Sequence, residues 1–337
     1  MKIIFTLIFL CFGLFASAAT YYVATTGSDS NPGTLASPWA SWQKGFNTLL
    51  PGDILYIRGG SYTIMFGTGH GVSISGRDGT SSNLITVLAY PGEIPELDCD
   101  TLSATAGVNY GISMRNCDYW HIKGLTVKNV REYNNLPSSD PIAKPVAGWE
   151  LNGCTNITLE LCIVTGSGNG FTLANTVYNI YYLNCDAYHN WDYYDGGGLT
   201  NGFNGHVEGA STVVYRGCRA WTNSDDGWDN MAGAGYMTYY NCWAYRNGYD
   251  TPTRGNGDGF KLGMDHSSTE LSGSQRTLYN CISTENYLMG FDESMNAVTS
   301  MDMEVYNCVA YKNNRDFGFR FKELTGAGVT TIRNNIS

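Results

Sequence analysis

Three carboxylates crowd into five residues at Asp225-Asp226-Gly227-Trp228-Asp229. Negative charges that close repel one another unless a cation or a proton lies between them. Hard divalent cations such as Ca²⁺ take several oxygen ligands at once. The cluster therefore reads as a candidate cation site, weighed against the plainer reading of an acidic surface loop. The same frame recurs along the chain with other charges in it, and that recurrence favours the site.

The recurring frame is a Cys followed five residues later by an Asn. It appears at Cys185 and Asn190, Cys218 and Asn223, Cys242 and Asn247, Cys281 and Asn286, and Cys308 and Asn313. Asn116-Cys117 and Leu161-Cys162 read as weaker, earlier copies. Successive cysteines from Cys185 onward stand 33, 24, 39 and 27 residues apart. Repeats of this length mean a solenoid or a propeller. A propeller blade needs roughly 40 residues, so the shortest interval favours coils of three short strands. The expectation is an all-β fold, a parallel β-helix with stacked Asn side chains bonded along the axis. Stacked cysteines would point inward as small hydrophobes. At the strand spacing they sit too far apart at Cβ for unstrained disulfides, which predicts free, buried thiols.

A second column is Gly followed by an aromatic: Gly170-Phe171, Gly202-Phe203, Gly227-Trp228, Gly259-Phe260, Gly290-Phe291 and Gly318-Phe319. Strand alternation turns the aromatic inward and the next residue outward. The outward residues are Thr172, Asn204, Asp229, Lys261, Asp292 and Arg320, and the last four alternate in sign. The plain alternative is a surface salt-bridge ladder, which adds little stability. Two longer loops, near 191–201 and 248–258, flank the acidic coil on one side. Their Trp191, Tyr193, Tyr194, Tyr249 and Arg254 suit a sugar chain carrying carboxylates, although ordinary loop packing explains any single aromatic.

Residues 1–18 read as a secretory leader: Lys2, an apolar run from Ile3 to Phe15, then Ala16-Ser17-Ala18. The apolar run is too short to span a bilayer, and no later stretch is long enough. The expected product is an exported monomer occupying 19–337. Glycine is frequent, with 41 residues, and proline scarce, with 9, which suits short strands and tight turns. The net charge of −10 argues against nucleic acid as a partner. It would also repel an acidic polysaccharide unless a bound cation inverts the local field. Ten cysteines less Cys11 leave an odd nine, against a complete disulfide framework. Residues 39–50 are the best helix candidate, as a cap over the open end of the solenoid. At the far end, 331–335 read as the start of another coil.

The runs at 217–229 and at Gly255-Asn256-Gly257-Asp258-Gly259-Phe260-Lys261-Leu262-Gly263 resemble family 9 of the polysaccharide lyases, best known for pectate lyases. The resemblance covers 180–325 well and the N-terminal part loosely. It implies a right-handed parallel β-helix and Ca²⁺-dependent β-elimination on a uronate-containing polysaccharide. It implies Asp225, Asp226 and Asp229 as metal ligands and Lys261 as the base. The fourth ligand of that family, an aspartate, is here Asn201, which offers an oxygen without charge. Lower affinity follows, unless Asp192 or Asp195 compensates. Where that family commonly has a lysine, near His206, this chain departs, so a different substrate preference is expected; His206, Arg254, Asp292 and Arg320 are the expected substrate contacts.

The chemistry is coherent by itself. Elimination at a uronate needs a cation to neutralise the carboxylate and a base within reach of C5. A β-helical glycoside hydrolase would instead need a carboxylate pair with one member protonated, and Asp225 and Asp226 could supply it. Gly69-His70-Gly71-Val72 resembles a polygalacturonase motif, but it stands on the wrong side of the aspartates. A non-catalytic adhesin or polysaccharide-binding β-helix would have no reason to place Lys261 beside the carboxylates.

Overall fold

A computed structural model describes residues 18–64, 69–100, 110–131, 146–191, 196–230, 235–249, 254–263, 274–294, 301–319 and 330–337. Among these residues the chain winds into a parallel β-helix. One sheet has eleven strands and two have nine, and the pairing throughout is parallel. A representative coil runs Asn169–Asn175, Tyr178–Leu183, Asp186–Tyr188, and the next begins at Phe203–Val207. Each strand pairs with its counterpart one coil away, as Phe171 does with Phe203 and Ala187 with Ala220. The leader expected over 1–18 lies almost wholly outside the described residues, and so do Asp192, Tyr193, Tyr194, Asp195 and Arg320. No helix among the described residues is long and apolar enough to cross a membrane.

The Asn column is a continuous buried ladder. Nδ2 of Asn190 donates to Oδ1 of Asn223 at 3.0 Å, Asn223 to Asn247 at 2.9 Å, Asn247 to Asn286 at 2.9 Å and Asn286 to Asn313 at 3.0 Å. The backbone N–H of each also donates to the next amide oxygen. Each Asn thereby satisfies its own corner and the one beside it, which an apolar residue could not do without leaving buried polar atoms unpaired. Asp316 ends the ladder by accepting from both nitrogens of Asn313.

The cysteine motif is a backbone requirement. Asn184, Gly217, Asn241, Asn280 and Asn307, each just before a Cys, have φ of 52°, 65°, 54°, 55° and 55°. Gly and Asn tolerate this left-handed conformation best. Leu161, at 53°, adopts it as a bulky exception. The Cys that follows turns inward, and all nine described cysteines are free and buried. Burial pushes the thiol of Cys185 well above its ordinary value, so it is a poor nucleophile. Asn116-Cys117 is not a copy of this motif. It precedes the strand Asp118–Lys123, whereas Cys185 follows the strand Tyr178–Leu183. In that earlier coil the true counterpart is Gly124-Leu125, where Gly124 has φ 78°. Two corners demand the same backbone conformation and so call for similar dipeptides.

Inside, the second column is a pile of rings: Phe171, Phe203, Trp228, Phe260, Phe291 and Phe317, with successive centroids 5.1, 4.9, 4.4, 5.0 and 5.2 Å apart. The last member is Phe317, because Phe291 pairs with Phe317 and Asp292 with Gly318. The expected Gly318-Phe319 register is therefore slipped by two residues, and Gly318 stands opposite Asp292. Stacking an aromatic on Phe291 outweighs repeating the glycine, and Asp316 takes the glycine's place.

Glycine is needed at 227 because of the ladder. A Cβ there would meet the carbonyl oxygen of Gly259 at 2.6 Å and Nδ2 of Asn247 at 3.0 Å. Gly227→Ala is expected to cost about 1–3 kcal/mol, the usual range for overpacking, read as a lower midpoint of chemical unfolding. An unchanged midpoint would show that the coils are less tightly spaced at this corner.

The cap helix spans Trp42–Thr48, inside the expected 39–50. Ser41 caps it, with Oγ accepting from the Lys44 N–H at 3.1 Å. Trp42 and Phe46 are buried, and Phe46 stacks on Trp120 at 5.9 Å, closing the end of the core.

Candidate active site

The site forms at the corner where each coil leaves its third strand and enters the sheet containing Asn169–Asn175, Phe203–Val207, Trp228–Asp229, Phe260–Lys261 and Met289–Asp292. Loop length varies here without disturbing the core. The residue before each glycine forms a second polar column. Asn169 Oδ1 accepts from the Asn201 N–H at 3.0 Å, and Asn201 Oδ1 from the Asp226 N–H at 3.1 Å. Asp226 Oδ1 accepts from the Asp258 N–H at 2.6 Å, and Asp258 Oδ1 from the Met289 N–H at 2.8 Å. One oxygen of each aspartate is thus tied to the scaffold and the other is left for chemistry.

Asp225 is wrapped by both flanking loops. Its N–H donates to the Thr200 carbonyl at 3.0 Å, and its Oδ1 accepts from the Asn256 N–H at 2.7 Å. Gly255 packs its backbone against this carboxylate, leaving no room for a Cβ. The described parts of the two loops therefore do flank the acidic coil, as their lengths suggested.

Lys261 pairs in register with Asp229 on one side and Asp292 on the other. Its Nζ lies 3.2 Å from Asp226 Oδ2 and 3.6 Å from Asp229 Oδ2. The side chain is only 8% exposed and Asp226 not at all. Burial works against the ammonium, but Asp226, Asp229 and Asp225 outweigh it and hold its pKa well above the ordinary lysine value. The carboxyls shift upward too, but with burial as the winning cause. Burial, then the charges of Asp226 and Asp229, raise Asp225 far above the carboxylate range. Burial raises Asp226 to about 6 against the pull of Lys261. Burial with Asp226 and Asp292 nearby raises Asp258 to about 8.

The predicted residues Asn201, Asp225, Asp226, Asp229 and Lys261 are thus brought together. Asp292 is 6% exposed, in the next coil, and its Oδ1 accepts from the Ser294 N–H at 2.8 Å. Arg254 is exposed and lays its guanidinium over the Tyr287 ring at 3.8 Å. His206 pairs with Ala174, two positions beyond Asn204 in its strand.

Two residues were missed as site members. Asp258 lies within the run Gly255–Gly263, but its place in the polar column shows only once coils are stacked. Asn204 pairs with Asp229, and its buried Oδ1 has no hydrogen-bond partner among the described residues. Among the described residues no group of three or more His, Cys, Asp or Glu side chains is arranged to hold a metal ion. The donor set nevertheless suits a hard cation. It is all oxygen, its negative charge exceeds the one ammonium, and the orphaned Asn204 oxygen stands beside Asp229.

The architecture and its acidic coil define a class, the parallel β-helices that carry carboxylates and a lysine on one sheet. The chain belongs to the Pel9A-like right-handed β-helix family, whose description matches residues 21–335. It is 30% identical over 251 residues to pectate lyase L of Dickeya chrysanthemi, covering 72% of this chain and 55% of that protein. It is 27% identical over 289 residues to pectate lyase PEL9 of Emericella nidulans, covering 80% and 68%. The crystal structure of pectate lyase Pel9A superposes with a TM-score of 0.71 at 25% identity, covering 95% of this chain and 78% of that one. A rhamnogalacturonan lyase shares the fold, with a TM-score of 0.75 at 23% identity over 94% and 87% of the two chains. The chain spans about half the length of pectate lyase L from Dickeya chrysanthemi and from Dickeya dadantii, 55% of each.

Proposed function

We propose that this chain is a polysaccharide lyase domain that cleaves a uronate-containing pectic polysaccharide by β-elimination, with Lys261 as the base. The carrying observation is the buried contact of Lys261 Nζ with Asp226 Oδ2 and Asp229 Oδ2 at 3.2 and 3.6 Å. A lysine held this way is fixed in position, and it can accept a proton once it has lost its own. Its task is to take the C5 proton while the C4–oxygen bond breaks, leaving a C4–C5 double bond on one fragment and, once the departing oxygen takes a proton from water, a new hydroxyl on the other.

Asp225, Asp226 and Asp229, with Asn201 and Asn204, would hold Ca²⁺. When bound, the cation would neutralise the substrate carboxylate and so acidify the C5 proton. The backbone N–H groups of Asn256 and Asp258 steady the carboxylates of Asp225 and Asp226. Arg254, Asp292, His206 and Arg320 remain the proposed substrate contacts, with Arg254 braced on Tyr287. The leader at 1–18 would export the chain to where such polymers occur.

The test is a panel of uronate polysaccharides, including polygalacturonate and rhamnogalacturonan, with Ca²⁺ and with chelator. A lyase produces unsaturated ends that absorb in the ultraviolet, and chelation abolishes them. Reducing ends without that absorbance would mean a hydrolase, and neither product a binding protein. Asp226→Ala is expected to weaken Ca²⁺ binding at least about tenfold in calorimetry, since it removes a charged oxygen donor. Unchanged binding would sink the metal assignment.

A further inference from the structure

One inward-facing position breaks the apolar pattern of the core. In the eleven-stranded sheet Ile157, Ile180, Val213 and Met237 stand in register, one coil after another, and all are buried. Arg276 comes next, fully buried, and beyond it the column returns to an apolar residue, Met303. Burial lowers the pKa of the Arg276 guanidinium, because a charge is taken out of water. A buried charge is weak evidence for stability, since a well-packed apolar residue often does as well or better. The neighbouring coils show that apolar side chains fit this column. Packing alone does not account for an arginine there.

What the guanidinium touches does account for it. Nε donates to the Leu262 carbonyl at 3.2 Å. Nη1 donates to the carbonyls of Gly235 at 2.9 Å and Gln275 at 3.1 Å, and Nη2 to that of Asn230 at 3.5 Å. Leu262 directly follows Lys261, and Asn230 directly follows Asp229. The strands are shortest at this point. Trp228–Asp229 and Phe260–Lys261 have two residues each, against seven in Asn169–Asn175 and five in Phe203–Val207. Past these strands the N–H of Asn230 donates to the Lys261 carbonyl at 3.0 Å, and that of Leu262 to the Asp292 carbonyl at 2.8 Å. Arg276 takes the carbonyls of the same two residues.

We propose that Arg276 is a positioning residue of this site, tying the chain just after Lys261 to the chain just after Asp229 so that the two side chains keep their offset. This rests on the roles proposed for Lys261 and Asp229. Only a guanidinium offers a planar fork of donors that reaches several carbonyls at once. An ammonium is a point charge on a flexible stem, and a methionine has no donor. Being fully buried, Arg276 acts through the backbone of the two short strands and not on the substrate. The gain is geometric, since a misplacement of about 1 Å at a reacting group can lower a rate about 100-fold.

The experiment compares the wild-type chain with Arg276→Met, which matches the side chains of Met237 and Met303 in the same column, and with Arg276→Lys, which keeps the charge and loses the fork. Hydrogen exchange read by mass spectrometry follows the amides of 228–230 and 260–262, with 171–174 of the same sheet as control. In Arg276→Met the first two segments are expected to exchange about tenfold faster or more, the worth of the lost hydrogen bonds, while the control is unchanged. On the uronate polymer cleaved fastest, with Ca²⁺ and well below the unfolding midpoint, kcat of Arg276→Met is expected to fall about 10- to 100-fold with KM little changed. Arg276→Lys is expected to fall between wild type and Arg276→Met in both measurements. A residue serving only stability would lower the unfolding midpoint and leave kcat of the folded enzyme as it was. Wild-type exchange at both segments or wild-type kcat in every variant that folds would overturn the proposal. So would failure of both variants to fold, which would make Arg276 a residue of the fold as a whole. If the wild-type chain makes no unsaturated ends, the lyase reading fails, and the exchange measurement still decides whether Arg276 holds the two strands.

Discussion

Lys261→Ala is expected to lower turnover at least about 100-fold while folding and Ca²⁺ binding persist, since general-base catalysis is typically worth 10²–10⁴-fold. Ultraviolet product assays beside calorimetry separate the two effects. Lys261→Arg is expected to be nearly as inactive, because guanidinium does not shed its proton in the working range. The pH dependence has a definite sign. Asp226, Asp229 and Asp225 hold the ammonium charged, overcoming burial. Only the neutral amine is a base, so activity should climb with pH by up to about tenfold per unit below the lysine pKa. Bound Ca²⁺ offsets the carboxylates and moves the climb to lower pH. A neutral or acidic optimum, or an alanine variant keeping more than about a hundredth of the activity, would remove Lys261 from the role.

Asn247→Ala is expected to be among the most damaging single changes to stability, about 4 kcal/mol, seen as a large fall in the unfolding midpoint. Asn247 is fully buried. It accepts from the backbone and side chain of Asn223, and donates to Asn286 Oδ1 and the Ala220 carbonyl at 3.2 Å. Alanine would strand groups in both neighbouring coils at once, and each buried unpaired group costs about 1–3 kcal/mol. A loss below about 1 kcal/mol would mean that water or a local shift repairs the ladder.

Much of this fold is legible because its two strongest demands fall on single residue types. A left-handed corner calls for Asn or Gly, and a buried column of backbone corners calls for Asn five residues after the inward Cys. Strict spacing between them exposes the coil. The acidic cluster is legible because Asp225, Asp226 and Asp229 are adjacent in sequence. Asp258 and Asn204 were harder to place, since they join the cluster only through stacking across loops of unequal length. The Asn116-Cys117 reading failed because two corners share one backbone conformation. The Gly318-Phe319 reading failed because core packing selects the aromatic and leaves the glycine optional. Lys261 also meets Asp226, at 3.2 Å and from outside its own column, because side chains at the corner reach across to the neighbouring coil.

Asp229 and Lys261 are opposed across one parallel rung. Their separation behaves as a lattice constant, set by main-chain hydrogen bonding and by the 4.4 Å contact of Trp228 with Phe260 just inside. The segment joining them in sequence does not set it. That segment can lengthen, shorten or change composition while Lys261 and the acidic coil keep their spacing. The loops at this corner can therefore diversify by insertion without the Asp229–Lys261 pair having to be rebuilt each time.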